Sequence, residues 1–218
     1  MVMPIPTLEE LTEAVKKARV ESKPRNFKQS FELVVKLPHF DSRKPEYKQN
    51  KSVILPHPLK STEVAVFAVG ERRAMAEKAG AAFTMGRDEL AALASDKKAA
   101  RKVAKSYDYY LAEPELMPLV GRVLGPFLGP RGKMPDPIPP NADMTNLIER
   151  AKRTAKVRMR EQPYFSVKIG EEDLSDKDVA ENALAVLNEV GREFKNPSVE
   201  IGSVIIKLTM GKPISLSG

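Results

Sequence analysis

The chain has 218 residues with no cysteine, no tryptophan and two histidines, and 36 Lys plus Arg against 29 Asp plus Glu give a formal charge of +7. The absence of cysteine excludes a disulfide framework, a thiolate zinc site and a cysteine nucleophile, so a metal site would need carboxylates with His39 or His57. No apolar run approaches the ~20 residues of a membrane span, and the opening MVMPIPTLEELTEAVKKA resembles neither a secretory signal nor a transit peptide, so a soluble cytoplasmic protein is expected.

Thr7 opens T-L-E-E, a capping box with Glu10, and Leu8, Leu11, Val15 and Ala18 follow at helical spacing, which predicts a helix from Thr7 to Val20. From Phe27 to Leu37 the chain alternates. Phe27, Phe31, Leu33, Val35 and Leu37 fall on one face and Lys28, Ser30, Glu32 and Lys36 on the other, a strand with one wet face. A polar stretch leads to the short apolar run Val53 to Leu55, which stops at P-H-P. From Glu63 the texture becomes strand, helix, strand, helix, strand: EVAVFAVG, ERRAMAEKAG, AAFTM, one helix over GRDELAALASDKKAARKVAKS, and YDYYLAE. Continuous apolar strands alternating with helices read as parallel βαβ units. The next stretch, MPLVGRVLGPFLGPRGKMPDPIPPNAD, holds seven prolines and is expected to be a stiff, exposed loop, after which Asn141 or Asp143 caps a helix. Beyond Lys156 come strands in VRMR and YFSVKIG, a helix opened by Ser175, and a final strand in SVEIGSVIIKLTMG.

Neither flank has enough elements to bury a core alone, so the two ends are expected to build one α+β domain together, with the middle inserted into it. The expected organisation is a discontinuous α+β domain of residues 1–58 and 157–218 and a Rossmann-like parallel α/β domain of residues 59–156. Residues 1–58 carry +4, residues 59–157 carry +5 and the remainder carries −2, so the basic excess lies in the first two parts. A sequence pI near 9.5 fits a nucleic-acid partner or merely a charged surface. The densest basic run, Lys97, Lys98, Arg101, Lys102 and Lys105, is read as the C-terminal end of the long helix that starts near Asp88, where cations complement the helix dipole. It is not expected to touch a specific RNA site.

G-P-F-L-G-P-R-G-K invites comparison with a phosphate-binding loop, but Phe127 stands where glycine is needed and Met134 where Ser or Thr would hold a metal. Gly70 is likewise single, with Arg72 and Arg73 where a dinucleotide fingerprint needs glycines. The nucleotide-dependent α/β enzyme using this loop is the rival reading. His57 reads as a turn residue and no acid/base pair stands out. A duplex-DNA regulator lacks a recognition helix. The wet faces are more suggestive: Ser30, Glu32 and Lys36 line one strand, and Ser203 and Thr209 the last. Hydroxyls and a carboxylate suit RNA 2′-hydroxyls and base edges, though ordinary solvated residues share that pattern.

Four stretches carry a resemblance that covers essentially the whole chain: NFKQSFELVVKL, SVILPHPL, GRVLGPFLGPRGKMPDP and SVIIKLTMGKPISL. In order and separation they resemble the L-one family of large-subunit ribosomal proteins, and the lack of a longer N-terminal extension resembles its archaeal members. The resemblance implies a structural protein, without catalysis or cofactor and monomeric when free, that binds a folded site in large-subunit rRNA and forms the mobile stalk near the tRNA exit site. It also implies repression of its own mRNA and contact with exit-site tRNA. The RNA-contacting positions it implies are Phe27, Ser30, Glu32 and Lys36 near the start, and Ser203, Thr209, Met210 and Gly211 near the end.

Overall fold

The computed structural model describes residues 5–37, 50–59, 62–158, 162–193 and 201–216. His39 lies outside them. The chain divides into two compact units, Met1–Leu59 with Arg153–Gly218, and Lys60–Lys152.

The first unit contains α1 (Leu8–Glu21), β1 (Ser30–Lys36), β2 (Asn50–Ile54), β7 (Thr154–Arg158), β8 (Tyr164–Glu171), α8 (Asp176–Glu193), β9 (Ser203–Leu208) and β10 (Ile214–Leu216). The capping box forms as expected: Thr7 N donates to Glu10 Oε2 at 2.8 Å, and Glu10 N donates to Thr7 Oγ1. Strands β10, β9, β1 and β8 make an antiparallel sheet in that order, with α1 and α8 on one face. Period-two alternation sends Phe31, Leu33 and Val35 of β1, Val204, Ile206 and Leu208 of β9, and Phe165, Val167 and Ile169 of β8 into the shared core. Arg19 locks α1 to the start of α8: its guanidinium donates to Asp176 Oδ1 at 2.9 Å and to the carbonyls of Glu172 and Leu174, and lies over the Phe31 ring. Gly170 lets α8 come close, since a Cβ there would stand 2.7 Å from Val179 Cγ2.

Strands β2 and β7 form a separate antiparallel pair. Leu59 and residues 153–156, expected in the insertion, group with the first unit, where β7 begins at Thr154. Two further expectations are corrected. Strand β1 begins at Ser30, so Phe27 precedes it and is 52% exposed instead of sharing the apolar face. The strand expected to close the chain, β9, ends at Leu208, which puts Thr209 and Met210 in the turn before a further strand, β10.

The second unit contains β3 (Val64–Phe67), α2 (Gly70–Lys78), β4 (Phe83–Met85), α3 (Arg87–Leu93), α4 (Lys97–Ser106), β5 (Tyr109–Ala112), α5 (Met117–Val123), α6 (Gly125–Leu128), β6 (Asp136–Pro137) and α7 (Met144–Lys152). Its sheet is parallel in the order β4, β3, β5, β6. Alternate residues of the central strands feed two cores: Ala65, Phe67, Tyr110 and Ala112 enter one, Val64, Val66, Tyr109 and Leu111 the other. Both faces are therefore covered, as the continuous apolar runs predict. The helix expected from Gly86 to Ser106 is instead two, because Asp96 Oδ1 accepts from Lys98 N and Ala99 N at 2.8 and 3.0 Å and starts α4 afresh. The Pro/Gly stretch is not simply an exposed loop either. Two of its seven prolines, Pro118 and Pro126, stand in the first turns of α5 and α6, where a helix has no N–H bond to lose, and Leu124 and Leu128 are fully buried. Asp143 caps α7 by accepting from Thr145 N.

Candidate nucleic-acid interface

The face of the antiparallel sheet opposite α1 and α8 is built in cross-strand rows. Lys36 lies between Tyr164 and Ser203, Val34 between Ser166 and Ile205, with Ser215 beyond, and Glu32 between Lys168 and Lys207. Ser30 and Thr209 close the series. Ser30, Glu32, Thr209, Met210 and Gly211 thus gather at one end of the face. Lys36 and Ser203 are paired at the other, ~20 Å away for six residues of strand. A groove of about 520 Å³ opens at that second end, lined by Lys36, Leu37, Pro163, Tyr164, Gly202 and Ser203.

The first end is the more highly organised. Thr209 Oγ1 accepts from Ser30 N at 3.1 Å and donates to Ser30 O at 3.3 Å, while Thr209 N donates to the same carbonyl. The hydroxyl proton is therefore committed, and what remains is an acceptor lone pair. Beneath this turn lies Gln29, only 1% exposed, whose Oε1 accepts from Met210 N at 3.1 Å and whose Nε2 donates to Ser22 Oγ and Glu172 Oε1. Glu172 Oε2 accepts from Gln29 N in turn. Gln29 thus fixes the Thr209 to Gly211 turn. Gly211 N donates to Leu208 O, and a Cβ on Gly211 would meet Leu208 Cβ at 3.1 Å. Two apolar side chains, Phe27 and Met210, stay half-exposed beside this polar cluster at 52% and 59%.

Charge on the face is balanced locally. Lys207 Nζ stands 3.9 Å from Glu32 Oε2, and Lys168 Nζ is 2.9 Å from the buried Glu171. Lys28 donates to Asp173, which raises its ammonium above the ordinary lysine value. The exposed pairs among these contribute little stability and leave Glu32 able to accept from a ligand. Reading the sequence by strand alternation missed Gln29, which precedes β1, and the β8 residues Tyr164, Ser166 and Lys168. The alternation in YFSVKIG was visible, and the register of β8 beside β1 puts its polar set on the same face.

Among its described residues the second unit offers no comparable face. At the carboxyl ends of β3 and β5, where open α/β sheets hold ligands, the carboxylate of Glu113 accepts from Val69 N at the head of α2 and stands 3.6 Å from Arg72. The lysine of the Gly/Pro loop is also engaged: Lys133 Nζ donates to Tyr107 O at 2.7 Å. Among the described residues no cluster of three or more His, Asp or Glu side chains could hold a metal ion. His57 Nε2 lies 2.7 Å from Glu181 Oε2, and its backbone N donates to Asn182 Oδ1, a turn fastened to α8. Among the described residues no helix is long and apolar enough to cross a membrane.

The profile of the Ribosomal protein L1p/L10e family matches residues 3–212. The chain belongs to that family. It is 49% identical over 210 residues to the large ribosomal subunit protein uL1 of Thermofilum pendens, covering 95% of this chain and 92% of that one. It is 43% identical over 209 residues to uL1 of Methanothermococcus thermolithotrophicus (95% and 98%), and 41% identical over 209 residues to uL1 of Methanocaldococcus jannaschii (95% of each). The archaeal character expected from the sequence agrees with these relatives. A member of this ribosomal-protein family is a structural protein and not an enzyme, which removes the nucleotide-dependent reading. The occupied Glu113 and Lys133 agree with that physically.

Proposed function

We propose that the protein is a structural component of the large ribosomal subunit that binds a folded site in rRNA with the uncovered face of its antiparallel sheet. Phe27, Ser30, Glu32, Lys36, Ser203, Thr209, Met210 and Gly211 are the contact residues in this reading. The observation that carries it is the Ser30–Thr209 cluster: a fixed acceptor, Thr209 Oγ1, with the Glu32 carboxylate on the same face and exposed Phe27 and Met210 flanking it. Acceptors held in place suit RNA because the 2′-hydroxyl is a donor that DNA lacks, and half-exposed apolar side chains suit an unstacked base or a ribose edge. The same surface would serve a mimic of the rRNA site on the protein's own mRNA, giving translational repression. Placement on the mobile stalk, beside exit-site tRNA, completes the reading.

Thr209→Val tests it. The substitution keeps the shape and removes the acceptor, so affinity for a folded large-subunit rRNA fragment is expected to fall by about 1 to 3 kcal/mol in a filter-binding titration, with Thr209→Ser restoring most of it. Because the hydroxyl also ties the turn to Ser30, a melting curve is measured on the same variants. Unchanged affinity in a folded Thr209→Val protein would remove Thr209 from the interface.

A further inference from the structure

Helix α4 carries Lys97, Lys98, Arg101, Lys102 and Lys105 in ten residues and no acidic side chain. All five are exposed, and none has an ion-pair partner among the described residues. Several other cations of the unit are ion-paired instead. Arg73 pairs with Glu77 and Glu89, Arg72 with Glu113 and Lys133 with Asp108. Dipole complementarity does not account for the concentration on α4. The break at Asp96 makes Lys97 and Lys98 the first residues of a new helix, the end where cations are disfavoured. At the other end, the carbonyls of Ala104 and Tyr107 already accept from Arg131 and Lys133 of the Gly/Pro loop.

We infer that the cationic face of α4 is a second RNA contact, holding sugar-phosphate backbone without reading bases. The inference rests on the reading of the protein as RNA-binding and adds a site on the inserted unit. The spacing supports it. Lys97, Arg101 and Lys105 form one column and Lys98 and Lys102 another, with ~6 Å of rise between successive members, comparable to the step between phosphates along a strand. Arg101 lies over the Phe127 ring, 5.8 Å from its centroid, and is thereby oriented before any ligand arrives. The buried residues of the helix are Ala100 and Ala104, so its four lysines are not needed for packing.

The test uses the full-length chain with Lys97, Lys98, Arg101, Lys102 and Lys105 all changed to Gln, a good helix former. It is compared with the wild type and Thr209→Val, and circular dichroism verifies the fold. Each protein is titrated against a folded large-subunit rRNA fragment and against a plain RNA duplex lacking that site, from low to moderate salt. The wild type is expected to bind the duplex with a steep salt dependence. The five-fold variant should bind the duplex at least tenfold more weakly at low salt, with the slope of log K against log salt reduced in magnitude by about 2 to 4. Thr209→Val should bind the duplex like the wild type. Equal duplex binding by the five-fold variant, or none by the wild type, overturns the inference while leaving rRNA recognition standing. Loss of binding to the rRNA fragment by the wild type itself defeats the underlying reading. Binding of poly-glutamate as tight as that of duplex RNA would reassign the face to an acidic polypeptide.

Discussion

The antiparallel sheet of the first unit is covered on one face by α1 and α8, and its other face presents Ser30, Glu32, Lys36, Ser166 and Ser203 to solvent. The parallel sheet of the inserted unit is covered on both faces, and every residue of β3 and β5 is buried. The contrast follows from connectivity. Antiparallel strands joined across the chain leave a face free, whereas βαβ crossovers place helices on both sides. A ligand of the first unit therefore meets strand side chains held in register. In the second unit Glu113 engages the crevice at the strand ends, which leaves helix and loop surfaces to meet a ligand. The first arrangement suits hydrogen-bond recognition and the second suits charge.

The largest expected effect breaks one side of that contrast alone. Phe31 is fully buried in the core of the first unit, under Arg19, and that core shares no residue with the two clusters of the inserted unit. Phe31→Ala should cost about 3 to 5 kcal/mol through lost transfer energy and the cavity left behind. In a calorimetric scan it should lower one transition and abolish rRNA binding at a temperature where the parallel sheet persists. A single transition shifted as a whole would show instead that the units unfold together.

Glu113→Leu acts on the other side. Removing the carboxylate leaves Val69 N without that acceptor and Arg72 without its counter-charge, at an expected cost of about 1 to 3 kcal/mol to the inserted unit. Affinity for the rRNA fragment should stay within twofold of the wild type. A tenfold loss, ~1.4 kcal/mol, would mean that the crevice takes part in recognition.

Much of this was legible in the amino-acid order, for physical reasons that also mark where legibility ended. The period-two run from Ser30 and the apolar runs of β3 and β5 identify a one-faced and a two-faced sheet, because side-chain alternation is set by backbone geometry. The capping box at Thr7 reads directly. Asp96 was harder: a capping aspartate inside a continuous helical pattern is told from a surface one only by where the chain turns. Reading through it put Lys97 and Lys98 at the wrong end of a helix. Phe27 misled because alternation extends past the last residue that pairs. Gln29 was invisible because its partners, Ser22, Glu172 and Met210, are brought together only by the fold, as is the bond between Thr209 and Ser30.

The smallest effect is silent at neutral pH and separates the units by titration. Tyr110 is fully buried in the parallel sheet, stacked near Phe67, with its hydroxyl donating to Val103 O at 2.8 Å. Burial pushes its phenol from the ordinary 10.0 up to about 12. Between these two values the unfolded chain has released this proton and the native unit still holds it. The unfolded state therefore binds fewer protons, and stability must fall as pH rises through that window. Urea midpoints of the inserted unit should decline from pH 10 towards about 12, with tyrosinate absorbance appearing as the unit opens. Tyr110→Phe should flatten the decline without abolishing it, since Tyr107, packed edge-on against Tyr110, is also raised by burial and by Glu63. An equal decline in the variant would assign the alkaline sensitivity to other groups.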